Sequence, residues 1–364
     1  MQTDWTKLQS QTIDWLRFPM AVMVVMLHYS KTVFYQADGA LRVLTILFQE
    51  GICRLAVPCF FLISGYLFFS NLEEKWDWGI WGTKMKRRAT SLLLPYLLWN
   101  IIAFLAFWVY AWATGNPTSL SQQFQNEGGI KMFWSVTGGI PIGSQAFPID
   151  GPLWFIRDLI IYVILTPLVF LFVKWTRIYG VLALFLIHLA VNRVVPEGFL
   201  FFVTGSWLRL SGKNIVEVLT PGKNWFYAVS LITLLALALI QLNSDTVFWK
   251  KSVKLVFLVS GIVATFCGTA SLLNAGKTRV VPFLAGSSFF IFAAHEVLIL
   301  KNISIPLVEK LLPDGPFGNC LAFFLTPALA VAICLGLLFL LEKLLPRTTA
   351  ILTGNRKALA VSKL

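Results

Sequence analysis

The feature that most constrains this chain is a succession of apolar blocks about twenty residues long, the length a helix needs to cross a hydrocarbon core of about 30 Å. Inside a bilayer no water is available to the backbone, so only helices and closed barrels satisfy every N–H and C=O. Barrel strands alternate apolar and polar positions over about ten residues. These blocks do not alternate, which leaves helices. Composition agrees: 57% of residues are hydrophobic and 13% charged, and the mean hydropathy is +0.75. A soluble domain carries about a quarter charged residues. A soluble enzyme and a disordered chain are therefore excluded, and the Gly and Pro residues follow no collagen period. The expected fold is an all-α polytopic membrane protein.

About ten spans are read, at 13–34, 43–69, 91–113, 153–173, 179–191, 198–210, 225–242, 253–273, 283–300 and 320–341. The spans at 179–191 and 198–210 are short, which suggests tilted, buried or broken helices. The net charge of +13 would point to nucleic acid in a soluble protein. In a membrane protein it reads as basic cytoplasmic loops and contact with anionic lipid, with no nucleic-acid partner. With the amino terminus inside, the basic residues favour the cytoplasm by about two to one, so both termini are expected to be cytoplasmic. The Gly- and Pro-rich stretch 114–152 then becomes a long extracytoplasmic loop, of a length more often functional than idle. No repeat or separable soluble segment interrupts the chain, which reads as one membrane domain over 1–364. The first fourteen residues are polar and no small-residue cleavage site follows, so no cleavable signal peptide is expected. The five cysteines show no metal or redox spacing and read as buried free thiols.

Ionisable residues inside a bilayer are expensive and mark function by default. Arg17 and His28 lie eleven positions apart. At 100° per residue they share one helix face, about 16 Å apart along the axis. Histidine is suited to moving protons near neutral pH. The plainer alternative is a structural His28 bonded to a neighbouring helix, with Arg17 snorkelling to phospholipid. Arg54, four residues before Pro58, either pairs with a carboxylate or lines a cavity. Arg157 and Asp158 read as a helix-end ion pair, or Asp158 as a carboxylate orienting a histidine. His295, followed by Glu296, is either a second acid/base or a ligand-binding residue. Trp154 either stacks on a ligand ring or sits at the bilayer interface. No metal-ligand cluster is visible.

Asp14-x-Leu16-Arg17 followed by His28 resembles the first-helix signature of the acyltransferase-3 family, the integral-membrane O-acyltransferases of bacterial surface polysaccharides. Val57-Pro58-Cys59-Phe60-Phe61-Leu62-Ile63-Ser64-Gly65-Tyr66 is similar to the family's second-helix segment. Lys86-Arg87-Arg88 stands where the family carries Arg-x-Arg, with Lys at the first position. Pro152-Leu153-Trp154-Phe155 and Phe289–His295 resemble two further family segments. The resemblance covers nearly the whole chain. It implies a multi-pass protein of the bacterial cytoplasmic (inner) membrane that moves an acyl group, most simply acetyl, from acyl-CoA to a hydroxyl of a cell-surface sugar or glycolipid. It implies His28 as general base, with Arg17, Lys86, Arg87 and Arg88 on the phosphates of acetyl-CoA or another acyl-CoA, and no metal. Under the resemblance Arg54 would hold the acyl carbonyl, His295 the acceptor and Trp154 a sugar ring, and these, with Arg157 and Asp158, are the weaker candidates for substrate binding. A transporter or flippase for a polysaccharide precursor or small solute is the reading from a different class, because carriers also hold intramembrane His and Arg. Oligomeric state is not legible.

Overall fold

The computed structural model describes residues 4–29, 39–115, 148–191, 194–243 and 247–356. Most of the expected 114–152 loop and the end of the expected 13–34 span therefore lie outside the described residues. The described chain is all helical and makes a polytopic bundle. We number its helices α1 Trp5–His28, α2 Gly39–Phe68, α3 Trp78–Ala113, α4 Trp154–Ile164, α5 Thr166–Ala190 and α6 Glu197–Leu210. There follow α7 Ile215–Leu242, α8 Trp249–Asn274, α9 Pro282–Leu311, α10 Pro316–Leu344 and α11 Pro346–Leu352. Among the described residues, seven helices (α2, α3, α5, α7, α8, α9 and α10) are long and apolar enough to cross a membrane, against about ten expected spans.

The first helix starts and stops earlier than hydropathy suggests. The Asp4 carboxylate accepts from the Lys7 N–H at 3.0 Å and caps α1, as short polar N-caps do. One face of its polar first half is buried, at Gln9 and Thr12, while Thr6, Lys7, Ser10 and Gln11 stay exposed. The Gln9 amide donates to Tyr66 Oη at 3.1 Å, and its oxygen accepts from Ile215 N at 2.6 Å. The helix closes at His28, with Tyr29 N bonded to Val25 O at 3.2 Å. Gln49, buried on α2, donates to the carbonyls of Met26 and Tyr29 at 2.8 and 2.6 Å. Those carbonyls belong to the last turn of α1, where the helix's own i+4 donors run out.

The divisions expected near 173 and 179 also move. The helix breaks at Leu165, where Pro167 cannot donate to the preceding turn and Thr166 Oγ1 donates to Val163 O at 2.7 Å. Within α5 the backbone turns at Arg177, with φ 53° and ψ −136°. The short α6 is buried, not lipid-facing: Leu200, Phe202, Val203 and Ser206 are fully enclosed. A helix buried on several sides needs no lipid-spanning length. It lies so close to α2 that a Cβ on Gly65 would fall 2.1 Å from Phe202 O, and one on Gly205 would fall 2.0 Å from Leu62 O. Small residues at such crossings let membrane helices pack closely. By contrast α7 shows Leu231, Ile232, Leu235 and Leu239 outward, an apolar face of the kind a spanning helix turns to lipid.

Three of the long helices contain π-helical turns, at Ile46–Gly51, Ala89–Leu93 and His295–Ser304. Such turns cluster at functional sites: the first holds the end of α1 through Gln49, the second gives Leu92 to the cavity described next, and the third carries His295 and Glu296.

Candidate active site

The π-helical turn of α9 begins at His295, and its i+5 repeat brings Lys301 onto the same face as Glu296, Nζ to Oε1 2.6 Å. The other carboxylate oxygen of Glu296 faces His28 Nε2 at 3.8 Å. The two histidine rings meet edge-on, centroids 4.9 Å apart and planes at 65°. Both rings direct Nδ1 at backbone carbonyls: His28 at Val24 O, 2.8 Å, and His295 at Ile291 O and Phe292 O, 3.0 and 2.8 Å. A carbonyl only accepts, so Nδ1 carries the proton in each neutral ring and Nε2 keeps the lone pair. His28 is 24% exposed. His295 is fully buried, and its Nε2 has no hydrogen-bond partner among the described residues. The pair therefore offers two lone-pair nitrogens, one of them reachable and faced by a carboxylate that would stabilise a positive ring.

Asp150, just before α4, is buried beside this group. Its N–H donates to Asn100 Oδ1 at 3.3 Å, and its own Oδ1 has no partner among the described residues. Burial first, and then the charge of Glu296, hold its carboxyl well above the usual carboxylate range, with Lys301 opposing. Glu296 also packs on the adjoining turn, where a Cβ on Gly151 would lie 3.2 Å from Oε2.

Toward the other end of the bundle lies a cavity of about 260 Å³. Arg17, Arg88 and Arg356 line it, together with Phe60, Phe155, Phe289 and Phe292. Phe292 links it to the histidines, its ring 6.4 Å from that of His295. A groove of about 430 Å³, lined by Lys84, Arg87, Asn355 and others, adjoins the cavity, and Arg88 and Leu67 belong to both. Arg17 is paired with Asp14 at 3.0 Å. Burial and the charges of Arg88 and Arg17 push the Arg356 guanidinium down to about 9, so it remains charged at neutral pH. A cationic inlet thus leads into an aromatic-walled cavity that stops one ring short of two histidines.

The structure brings Arg17 and Arg88 to one cavity and His28 and His295 to one pair, with Phe292 between the two. It does not bring in the whole basic cluster, since successive helical residues point 100° apart. Arg87 turns to the groove, and Lys86 is exposed. Arg54 pairs with Glu50 at 3.2 Å on the same helix. Arg157 and Asp158 pair with each other at 2.9 Å, so the carboxylate facing a histidine is Glu296 and not Asp158. Trp154 is partly buried in the core at the start of α4, and Phe155, its neighbour, is the one that lines the cavity. Sequence reasoning passed over Asp150, Gln49 and Arg356. The first two are short polar residues whose burial no local pattern signals, and the third lies in a polar tail. Among the described residues, no group of three His, Cys, Asp or Glu side chains is placed to hold a metal ion.

A family model described as an acyltransferase domain matches residues 10–341. The chain is 27% identical over 329 residues to the succinoglycan biosynthesis protein ExoH of Rhizobium meliloti (strain 1021), an alignment covering 87% of this chain and 84% of that protein. No solved structure matches it significantly. With a single match running from the first helix through the last long one, over the histidine pair and two of the three cavity arginines, the chain belongs to the acyltransferase-3 family and is a multi-pass membrane acyltransferase.

Proposed function

We propose that this enzyme transfers an acyl group, most simply acetyl, from acyl-CoA to a sugar hydroxyl of a cell-surface polysaccharide or its lipid-linked precursor, with His28 as general base. The observation that carries the reading is the position of His28, its lone-pair Nε2 3.8 Å from Glu296, beyond an aromatic cavity whose far end holds three guanidiniums. The donor supplies a thioester activated toward attack. The chain's residues do the rest. Arg17 and Arg88 hold phosphate charge, and the aromatic walls exclude water from the thioester arm. His28 Nε2 takes the proton of the attacking hydroxyl as the acyl carbon–oxygen bond forms, and returns it to the departing sulfur. Glu296 favours the positive ring during that interval. His295 supports His28 edge-on. The relative in succinoglycan biosynthesis favours a polysaccharide acceptor.

The same reading gives a topology. The turn at Arg177 divides α5, so that α4 with the first half of α5 makes one crossing and the second half another. With α1 and α6 and the six other long helices the crossings number ten, in one domain over 1–364. Both termini are then cytoplasmic, with Arg17, Arg88 and Arg356 facing the pool of CoA. On this topology the 114–152 stretch is extracytoplasmic, and its described end, at Asp150, is on the acceptor's side. The membrane would be the bacterial inner one.

The test is thiol release from acetyl-CoA by detergent-purified protein, with and without envelope glycolipid. His28→Ala should lower extract-dependent release by about 10²- to 10⁴-fold, the range for loss of a general base, while CoA still binds. Wild-type turnover in His28→Ala would remove the catalytic role. A wild-type protein that neither binds CoA nor cleaves it would favour the transporter reading.

A further inference from the structure

Arg356 reaches the cavity by a route that nothing in its local sequence announces. After α10 the chain turns through α11, and residues 353–356 fold back on α3 as a strap. Trp99 Nε1 donates to Leu352 O at 3.0 Å. Arg356 Nη1 donates to Ser91 O at 3.4 Å and Thr353 O at 3.0 Å, and its guanidinium lies 4.4 Å over the Phe289 ring. Gly354 is at φ +63°, and a Cβ there would fall 2.3 Å from Ser91 O, so the strap seats closely because this position is glycine. Its residues wall both chambers, Arg356 the cavity and Gly354 and Asn355 the groove. Arg356 also lies beyond residue 341, where the family match ends.

Three separate segments, α1, α3 and the strap, thus bring one guanidinium each to a single cavity. Among the described residues only Arg17 of the three has a carboxylate in salt-bridge range. Guanidiniums do not shed their charge in proteins, and like charges in a partly dehydrated site repel more strongly than in water. The arrangement is offset when an anion enters. A single phosphate meets its charge with one bidentate guanidinium or two. Three guanidiniums, with Lys84 and Arg87 in the adjoining groove, match a ligand bearing several phosphates in a row.

We propose that Arg356 is a donor-binding residue, and that the strap makes the site selective for thioesters whose carrier bears several phosphates over carriers bearing one. The proposal rests on the acyl-CoA reading above and adds to it a residue and a donor preference. An anionic phospholipid offers the same phosphate chemistry, so the experiment separates the two sources.

The full chain, purified in neutral detergent, would be titrated calorimetrically with CoA and with 4′-phosphopantetheine. Arg356→Ala should weaken CoA binding by about ten- to a hundredfold, as loss of one charged hydrogen-bonded contact does. It should weaken phosphopantetheine binding much less, so that the preference ratio collapses. Arg356→Lys, which keeps the charge but not the fork, should fall between. Equal weakening of both ligands would make Arg356 a structural clip and overturn the proposal, as would unchanged CoA affinity. In a parallel arm, nanodiscs with and without phosphatidylglycerol would be compared. An Arg356→Ala effect confined to retained phosphatidylglycerol, with CoA affinity unaltered, would assign the residue to lipid and overturn it too. Failure of the wild type to bind CoA in detergent would instead bring down the underlying acyl-CoA reading and this proposal together.

Discussion

At the residue scale the chemistry of the site comes from which atom of each side chain is already engaged. His28 and His295 both commit Nδ1 to backbone carbonyls, and that leaves Nε2 for the reaction. Glu296 then matters because it is the carboxylate that faces His28. Glu296→Gln keeps the shape and removes the charge, and turnover should fall about ten- to a hundredfold with CoA affinity unchanged by calorimetry. Asp150 gives a stability prediction. Its carboxyl is raised in the folded protein by burial and by Glu296, while in the unfolded chain it titrates near the ordinary value of about 4. Between those two pKa values the native state binds the extra proton, so the contribution of Asp150 to stability falls as pH rises through that window. Asp150→Asn should therefore raise the thermal unfolding midpoint more at pH 8 than at pH 4. An equal gain at both would show that the carboxyl does not titrate in this way.

At the element scale the motif segments serve packing as much as chemistry. In the Ser64-Gly65-Tyr66 run, Ser64 lines the cavity. Gly65 lets α6 approach, and Tyr66 Oη donates to Lys213 O at 3.0 Å. The reciprocal contact is Gly205 against Leu62 O. Because that atom is backbone, it cannot rotate away. Gly205→Ala should therefore cost about 1–3 kcal/mol, the range for overpacking, seen as a lower unfolding midpoint in detergent. An unchanged midpoint would mean that α2 and α6 separate easily. Helix periodicity predicts the shared face of Arg17 and His28 and is silent on π-turns, which follow from how α9 fits its neighbours. That is why the i+5 pairing of Glu296 with Lys301 was not legible beforehand.

At the scale of the whole molecule, charge is sorted to two ends. Arg17, Arg88 and Arg356 meet at one end, and Glu296, Lys301 and Asp150 gather toward the other. The proposed topology places the arginine end in the cytoplasm, in keeping with positive-inside bias. Single cysteines test this, since four of the five native thiols are buried. An Arg347→Cys protein should react with an impermeant maleimide in inside-out vesicles only, and a Lys310→Cys protein in right-side-out vesicles only. The opposite pattern would invert the enzyme and separate the arginines from cytoplasmic CoA.

By itself the sequence determined the solvent and the element type, because blocks of twenty apolar residues admit only helices in lipid. It also determined Arg17 and His28 as one face of one helix, because both lie within a single regular element whose period is known. Only the tertiary structure decided what meets that face. Glu296 reaches His28 from α9, and Arg356 reaches Arg17 from a strap far along the chain. The Asp150 contact is with the Glu296 end alone, away from the arginines. Each of these contacts joins distant segments, and no local period or propensity carries information about which helices lie side by side.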